Sequence, residues 1–184
     1  MAVYCSHIPL TFVHIPKTAG SAVSNWLKEH ASGTDFMPTS FGAKHWDFSM
    51  INRQMVKRDI PAGRVVVVVR NPWDRLVSTW AYYRRRNASW VSEDFAEFVM
   101  NTTWGTAKRP QTDFYPWKKT LILRFENLAT DFSKLQELCN CSASLDIVNR
   151  SDHQHYTEYY DSTTREEVRI RHASDITTLG YTYE

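Results

Sequence analysis

Apolar positions along this chain follow two periods that alternate from one end to the other. From Leu10 to Ile15 they form a short run with the length and β-branched content of a buried strand. Pro16 ends that run, and Gly20 permits a tight turn. Ala22, Val23, Trp26 and Leu27 then recur at helical spacing, so the stretch from Phe12 to Leu27 reads as strand, small-residue loop, helix. Asp47 is placed to cap a short helix through Met55, with Phe48, Ile51 and Met55 on one side. After a polar break containing Pro61 and Gly63 come five consecutive valines, Val65 to Val69. Such a run predicts the central strand of a parallel sheet covered on both faces.

The second half repeats the alternation. Asn71 and Pro72 suit the cap and first turn of a helix carrying Leu76, Val77, Trp80 and Tyr83 as far as Arg86. Ser92 reads as the cap of another helix with Phe95, Phe98 and Val99 inward, and residues 102–117 as a long surface loop. Thr120 to Phe125 is a further strand, followed by a helix from Asn127 or Thr130 to Leu138. Thr163 and Glu166 have the spacing of a capping box that opens a helix to about Ile176. The fold class expected is α/β: one three-layer, P-loop-like domain over residues 1–184, its central, mainly parallel sheet flanked by helices.

Composition narrows the partners. A net charge of +2 is too small to argue for nucleic acid or a membrane surface, and no apolar run approaches the roughly 20 residues of a spanning helix. No charged leader followed by a long apolar block opens the chain. Three cysteines, Cys5, Cys139 and Cys141, suggest no disulfide framework and read as reduced thiols in the cytoplasm.

The loop between the first strand and helix is the strongest chemical signal. Lys17 supplies a charge, Thr18 and Ser21 supply hydroxyls, and a helix N-terminus adds its amides and partial positive charge, which together suit a phosphate. The order differs from the nucleoside-triphosphate loop, where the lysine follows the glycines and a hydroxyl for magnesium comes next. Read alone, the stretch is also compatible with a plain turn bearing an exposed lysine. A second anion point is Arg70, at the end of the valine strand, with Ser78 about a turn into the next helix. The alternative there is an arginine paired with a carboxylate and a serine that only packs.

Together, HIPKTAGSA and VVVVVRNPWDRLVS resemble the two cofactor loops of the sulfotransferases that use 3′-phosphoadenosine-5′-phosphosulfate (PAPS), most of all the carbohydrate-type branch that acts on heparan and chondroitin chains. LILRFENL, Leu121 to Leu128, and HYTEYYDSTTREEV, His155 to Val168, are similar to later segments of that family. The resemblance implies that Lys17, Thr18, Ala19, Gly20, Ser21 and Ala22 hold the 5′-phosphosulfate. It further implies that Arg70 and Ser78 hold the 3′-phosphate, and that Tyr156 lies in a segment folded over the cofactor. Lys17 would be catalytic, meeting the charge that builds on the leaving oxygen. The products would be 3′,5′-adenosine bisphosphate (PAP) and a sulfated hydroxyl of a small molecule or glycan, with no metal required.

Transfer to a hydroxyl needs a base. His45, in FGAKHWDF, stands where carbohydrate-type relatives often carry a histidine, and the alternative is a surface histidine stacked on Trp46. Arg84, Arg85 and Arg86 read either as the solvated end of a helix or as a docking patch for an anionic acceptor. Two other functions remain open at this level: a small ATP-dependent P-loop kinase, and a non-catalytic domain that binds PAPS or PAP.

Overall fold

The computed structural model describes residues 2–36, 46–101, 109–146 and 153–184. Its strands are β1 (Ala2–Cys5), β2 (Leu10–Phe12), β3 (Thr34–Phe36), β4 (Arg64–Val69) and β5 (Thr120–Arg124). Its helices are α1 (Gly20–His30), α2 (Phe48–Val56), α3 (Pro72–Arg84), α4 (Phe95–Met100), α5 (Leu128–Cys139), α6 (Ser162–Arg171) and α7 (Ala173–Leu179). These elements divide into two compact units, one of residues 1–69 and 111–148, the other of 70–110 and 149–184.

The first unit is an α/β layer structure on a five-stranded mixed sheet of order β3-β1-β2-β4-β5. β4 lies between two parallel neighbours, with Thr11 opposite Val65 on one side and Val67 opposite Ile122 on the other. β1 is antiparallel to both β2 and β3, so it alone opposes the remaining four strands. The alternation of side chains across each strand then sorts the faces. Leu10, Phe12, Val66, Val68 and Leu123 pack with Val23, Trp26 and Leu27 of α1 and with Phe132 and Leu135 of α5. The Trp26 indole meets Phe132 edge-on, 5.0 Å between ring centres, and donates to the Ala143 carbonyl at 3.0 Å. On the opposite face the Thr11 hydroxyl donates to the Ala62 carbonyl at 2.6 Å and lies 3.7 Å from the sulfur of Met55 on α2. All five valines are buried, as a strand covered on both sides requires. Burying each contributes roughly 1.5–3 kcal/mol.

Several local expectations change in detail. The segment expected as a surface loop is partly inside: Gln111, Phe114 and Tyr115 turn inward around a 3₁₀ turn at Gln111–Phe114, while Asp113 stays exposed and Trp117 half exposed. The expected cap of α2 is unchanged: Asp47 accepts from the Met50 amide.

The second unit gathers helices around an aromatic core. Trp73, Leu76, Val77 and Trp80 of α3 pack with Phe95, Phe98 and Val99 of α4, with Tyr156, and with Val168 of α6. Asp94 caps α4, not Ser92; the Ser92 hydroxyl instead donates to Glu97 and accepts from the Asp94 amide. The capping box of α6 is Asp161 with Thr164, not Thr163 with Glu166, because Glu166 forms an ion pair with Arg169. The helix expected to reach Ile176 breaks at His172, which closes α6 and starts α7.

A buried charge cluster lies within this unit. The Arg75 guanidinium, 1% exposed, donates to the Arg109 carbonyl, and burial pulls its pKa down to about 10, with the charge of Asp175 opposing that shift. His172 is as deeply buried, its Nδ1 3.5 Å from Asp175 Oδ2. Burial lowers the His172 pKa, and the Arg75 charge adds to that while Asp175 opposes it.

Candidate active site

The first candidate cluster is the connection from β2 to α1. Val13 prolongs the sheet by donating to the Val66 carbonyl at 3.0 Å, after which the chain turns over residues 14–19. Lys17 and Ala19 both adopt left-handed backbone, φ 66° and 63°. For side-chain-bearing residues that conformation costs about 1–2 kcal/mol each, and it persists where the surroundings impose it. One constraint is visible at Thr18, fully buried, whose hydroxyl donates to the Ile15 carbonyl at 3.0 Å. Its proton therefore serves the loop's own backbone. Another constraint is Gly20, where a Cβ would fall 2.2 Å from Cδ2 of His14. The imidazole lies flush against the glycine, and any side chain at position 20 would force it to move.

The helix that follows is open at its start. Ala19 occupies the cap position without a side-chain hydrogen bond, and the first turn carries no acid. The amides of Ala22 and Val23 both reach the Ala19 carbonyl, at 3.0 and 3.3 Å. Those of Gly20 and Ser21 stand at the first two helical positions, where no preceding carbonyl of the helix can satisfy them. Ser21 is exposed and Lys17 partly so, while Gly20 and Ala22 are buried. Backbone donors, a helix dipole and a lysine at one loop make a place for an anion, and a phosphosulfate fits that donor set.

The second cluster lies at the start of α3. Asn71 caps the helix, its Oδ1 accepting from the Trp73 amide at 3.1 Å, and Pro72 fills the first helical position. Arg70 is buried to 6% exposure. Its Nε donates to Asp74 Oδ2 at 2.8 Å and its Nη2 to Asp74 Oδ1 at 2.9 Å. Ser78 is buried one helical turn beyond Asp74, so the two share a face of α3. Tyr156 joins this group: its hydroxyl donates to the Glu184 carbonyl at 2.5 Å and accepts from the Glu184 amide and from Asn71. Burial raises the Tyr156 pKa, and the Asp74 charge raises it further; Tyr160 is pushed up more strongly for the same first reason. Both phenols therefore stay protonated at neutral pH.

The structure thus brings Lys17 to Ala22 together in one unit, and Arg70, Ser78 and Tyr156 together in the other. His45 lies outside the described residues, as do residues 102–108 of the expected surface loop. Asp74 was not singled out from the sequence, although its position four residues after Arg70 was a usable signal. Among the described residues no cluster of three or more His, Cys, Asp or Glu side chains is arranged to hold a metal ion. Among them, too, no helix is long and apolar enough to cross a membrane.

Comparison with solved structures finds the same fold elsewhere. A mouse sulfotransferase, SULT7A1, crystallised with PAP, superposes with a TM-score of 0.53 at 14% identity, over 90% of this chain and 82% of its own. A sulfotransferase from Alicyclobacillus acidocaldarius gives a TM-score of 0.46 at 14% identity, covering 93% of each chain. No curated protein sequence matches. The model of the sulfotransferase family matches residues 1–181, nearly the whole chain, and the protein belongs to that family.

Proposed function

We propose that this protein transfers a sulfuryl group from PAPS to an acceptor hydroxyl on a carbohydrate, within one domain of residues 1–184. The observation that carries the reading is the uncapped, acid-free start of α1 preceded by Lys17 in a constrained loop. A mouse relative of the same fold was crystallised with PAP, which supports the same nucleotide here. PAPS, when bound, supplies an activated sulfur and a phosphate leaving group. The Gly20 and Ser21 amides hold oxygens of the phosphosulfate, and the Lys17 ammonium meets charge building on the oxygen that leaves. The bond from sulfur to the phosphate oxygen breaks as the bond to the acceptor oxygen forms, and a base takes the hydroxyl proton. His45 is that base in this reading, placed by the sequence resemblance. Arg70 and Ser78 serve the 3′-phosphate, with Tyr156 beside them. Three free cysteines suit a cytoplasmic setting.

The test is a sulfate-labelled donor mixed with a panel of glycans and small hydroxyl compounds, with and without EDTA. Label should appear on a carbohydrate and its rate should be unaffected by chelator. Transfer from labelled ATP that disappears with EDTA and returns with magnesium would favour a kinase. Tight PAP binding with no transfer to any acceptor would favour a binding domain.

A further inference from the structure

Arg70 is not a flexible cation waiting for an anion. A guanidinium has five N–H donors in a planar fork. Asp74 takes the Nε edge with two short bonds, 2.8 and 2.9 Å, and so sets the plane of the fork and the direction of its remaining donors. The pair is well shielded, with 7% of the arginine side chain and 17% of the carboxylate exposed. The backbone beneath the carboxylate is set by the helix, because Asp74 sits in the first turn of α3 behind an Asn71 cap and a proline. There the helix dipole favours its negative charge. Tyr156 and Tyr160 lie close enough to feel that charge, and the Tyr160 hydroxyl is anchored on the Trp73 carbonyl at 2.9 Å. Asp74 thus holds Arg70 by two bonds from the first turn of α3.

We propose that Asp74 is a positioning residue that aims Arg70, and that the resulting fixed fork sets the preference for a 3′-phosphorylated nucleotide over one lacking that phosphate. The proposal rests on the PAPS reading above. A neutralised, pre-aimed arginine discriminates by geometry more than by charge. A bidentate anion in register gains from the ordered fork, while a ligand without the 3′-phosphate gains nothing from it.

The experiment has two arms. In ¹⁵N-labelled protein without ligand, the Nε–H signal of Arg70, assigned by its loss in Arg70→Lys, should exchange slowly with solvent. Asp74→Asn should remove that protection. Calorimetric titration with PAP and AMP should show the affinity ratio of the wild type falling about tenfold in Asp74→Asn, the scale of one charge-assisted contact. AMP affinity alone should change little. Asp74→Glu keeps the charge at the helix start but displaces the fork, and its ratio should fall between the two. A wild-type preference for PAP that Asp74→Asn leaves intact overturns the positioning role alone. Equal weakening of both nucleotides with a lowered melting temperature would show a purely structural residue and also overturns it. Equal binding of PAP and AMP by the wild type, with the Nε–H still protected, overturns the 3′-phosphate assignment and this proposal with it.

Discussion

The two strand-to-helix junctions, from β2 to α1 and from β4 to α3, solve the same steric problem in opposite ways. The first leaves its helix uncapped, keeps acids out of the first turn, and bends through two left-handed residues, Lys17 and Ala19. The second is closed by Asn71, Pro72 and Asp74, with no strained residue among them. At the first junction the backbone amides are what remains to be offered to a ligand. At the second the cap satisfies its own helix, and the charged group presented is a side-chain fork already gripped by a carboxylate. One junction stores strain to expose amides, and the other gives up amides to order an arginine.

The largest effect should come from Lys17→Ala. Removing a charge aimed at a developing oxyanion typically costs about 10²–10³ in turnover, and donor affinity should fall far less. Single-turnover assays beside PAP titration would show it. A comparable loss in both quantities would mean that the first junction only binds, and the contrast with Arg70 would narrow. Arg70→Ala should come next: the preference for PAP over AMP should drop by roughly 10–100-fold, from the loss of about 1.5–3 kcal/mol. Turnover at saturating donor should change much less than in Lys17→Ala. Unchanged selectivity would reduce the second junction to scaffolding.

Acid should act on the second unit. The His172 pKa lies below its ordinary value in the folded protein, so the unfolded chain takes up the proton first. Unfolding free energy should therefore be level above about pH 6.5 and decline as pH drops below that value. Thermal unfolding at pH 7.5 and 5.5 should show a gap that His172→Gln narrows. The smallest effect expected is from Ala19→Gly. Glycine accepts a φ of 63° without the penalty alanine carries there, so the variant should gain up to about 1 kcal/mol, offset in part by a freer unfolded chain. A loss of stability would mean that the first junction is not strained at this residue, and the comparison would need another basis.

Much of this was legible in the residues. The valine run and the Asn71-Pro72 start each act locally, through solvation or a fixed φ, and each element formed where expected; the strand expected to run from Leu10 to Ile15 ends at Phe12, before Pro16 acts. β1 and β3 were not foreseen, because segments of four and three residues owe their existence to partners far along the chain. Ser92 and Asp94 stand two residues apart and either can cap; what decides is that Ser92 is held by Glu97. The inward-facing Gln111 and Phe114 of the 3₁₀ turn were hidden by polar neighbours, since a single short turn leaves no period to read. For the site, the cluster from Lys17 to Ala22 followed from chain adjacency. The grip of Asp74 on Arg70 needed side-chain directions that spacing only hints at.

The valine strand carries a cost of a different kind, one of ambiguity. Five identical side chains, all buried on both faces, would satisfy the core nearly as well if β4 slid along β2 by a residue. What distinguishes one alignment from the next must therefore sit at the ends of the run. Gly63 stands at the entry with φ 64°, its missing Cβ replaced by the Pro9 carbonyl, only 1.8 Å from where that atom would be. The next amide, Arg64, donates to that same carbonyl at 2.8 Å. Pro9 and Gly63 thus act as an index mark on an otherwise unmarked ruler, and the place where Arg70 emerges from the sheet is measured from it.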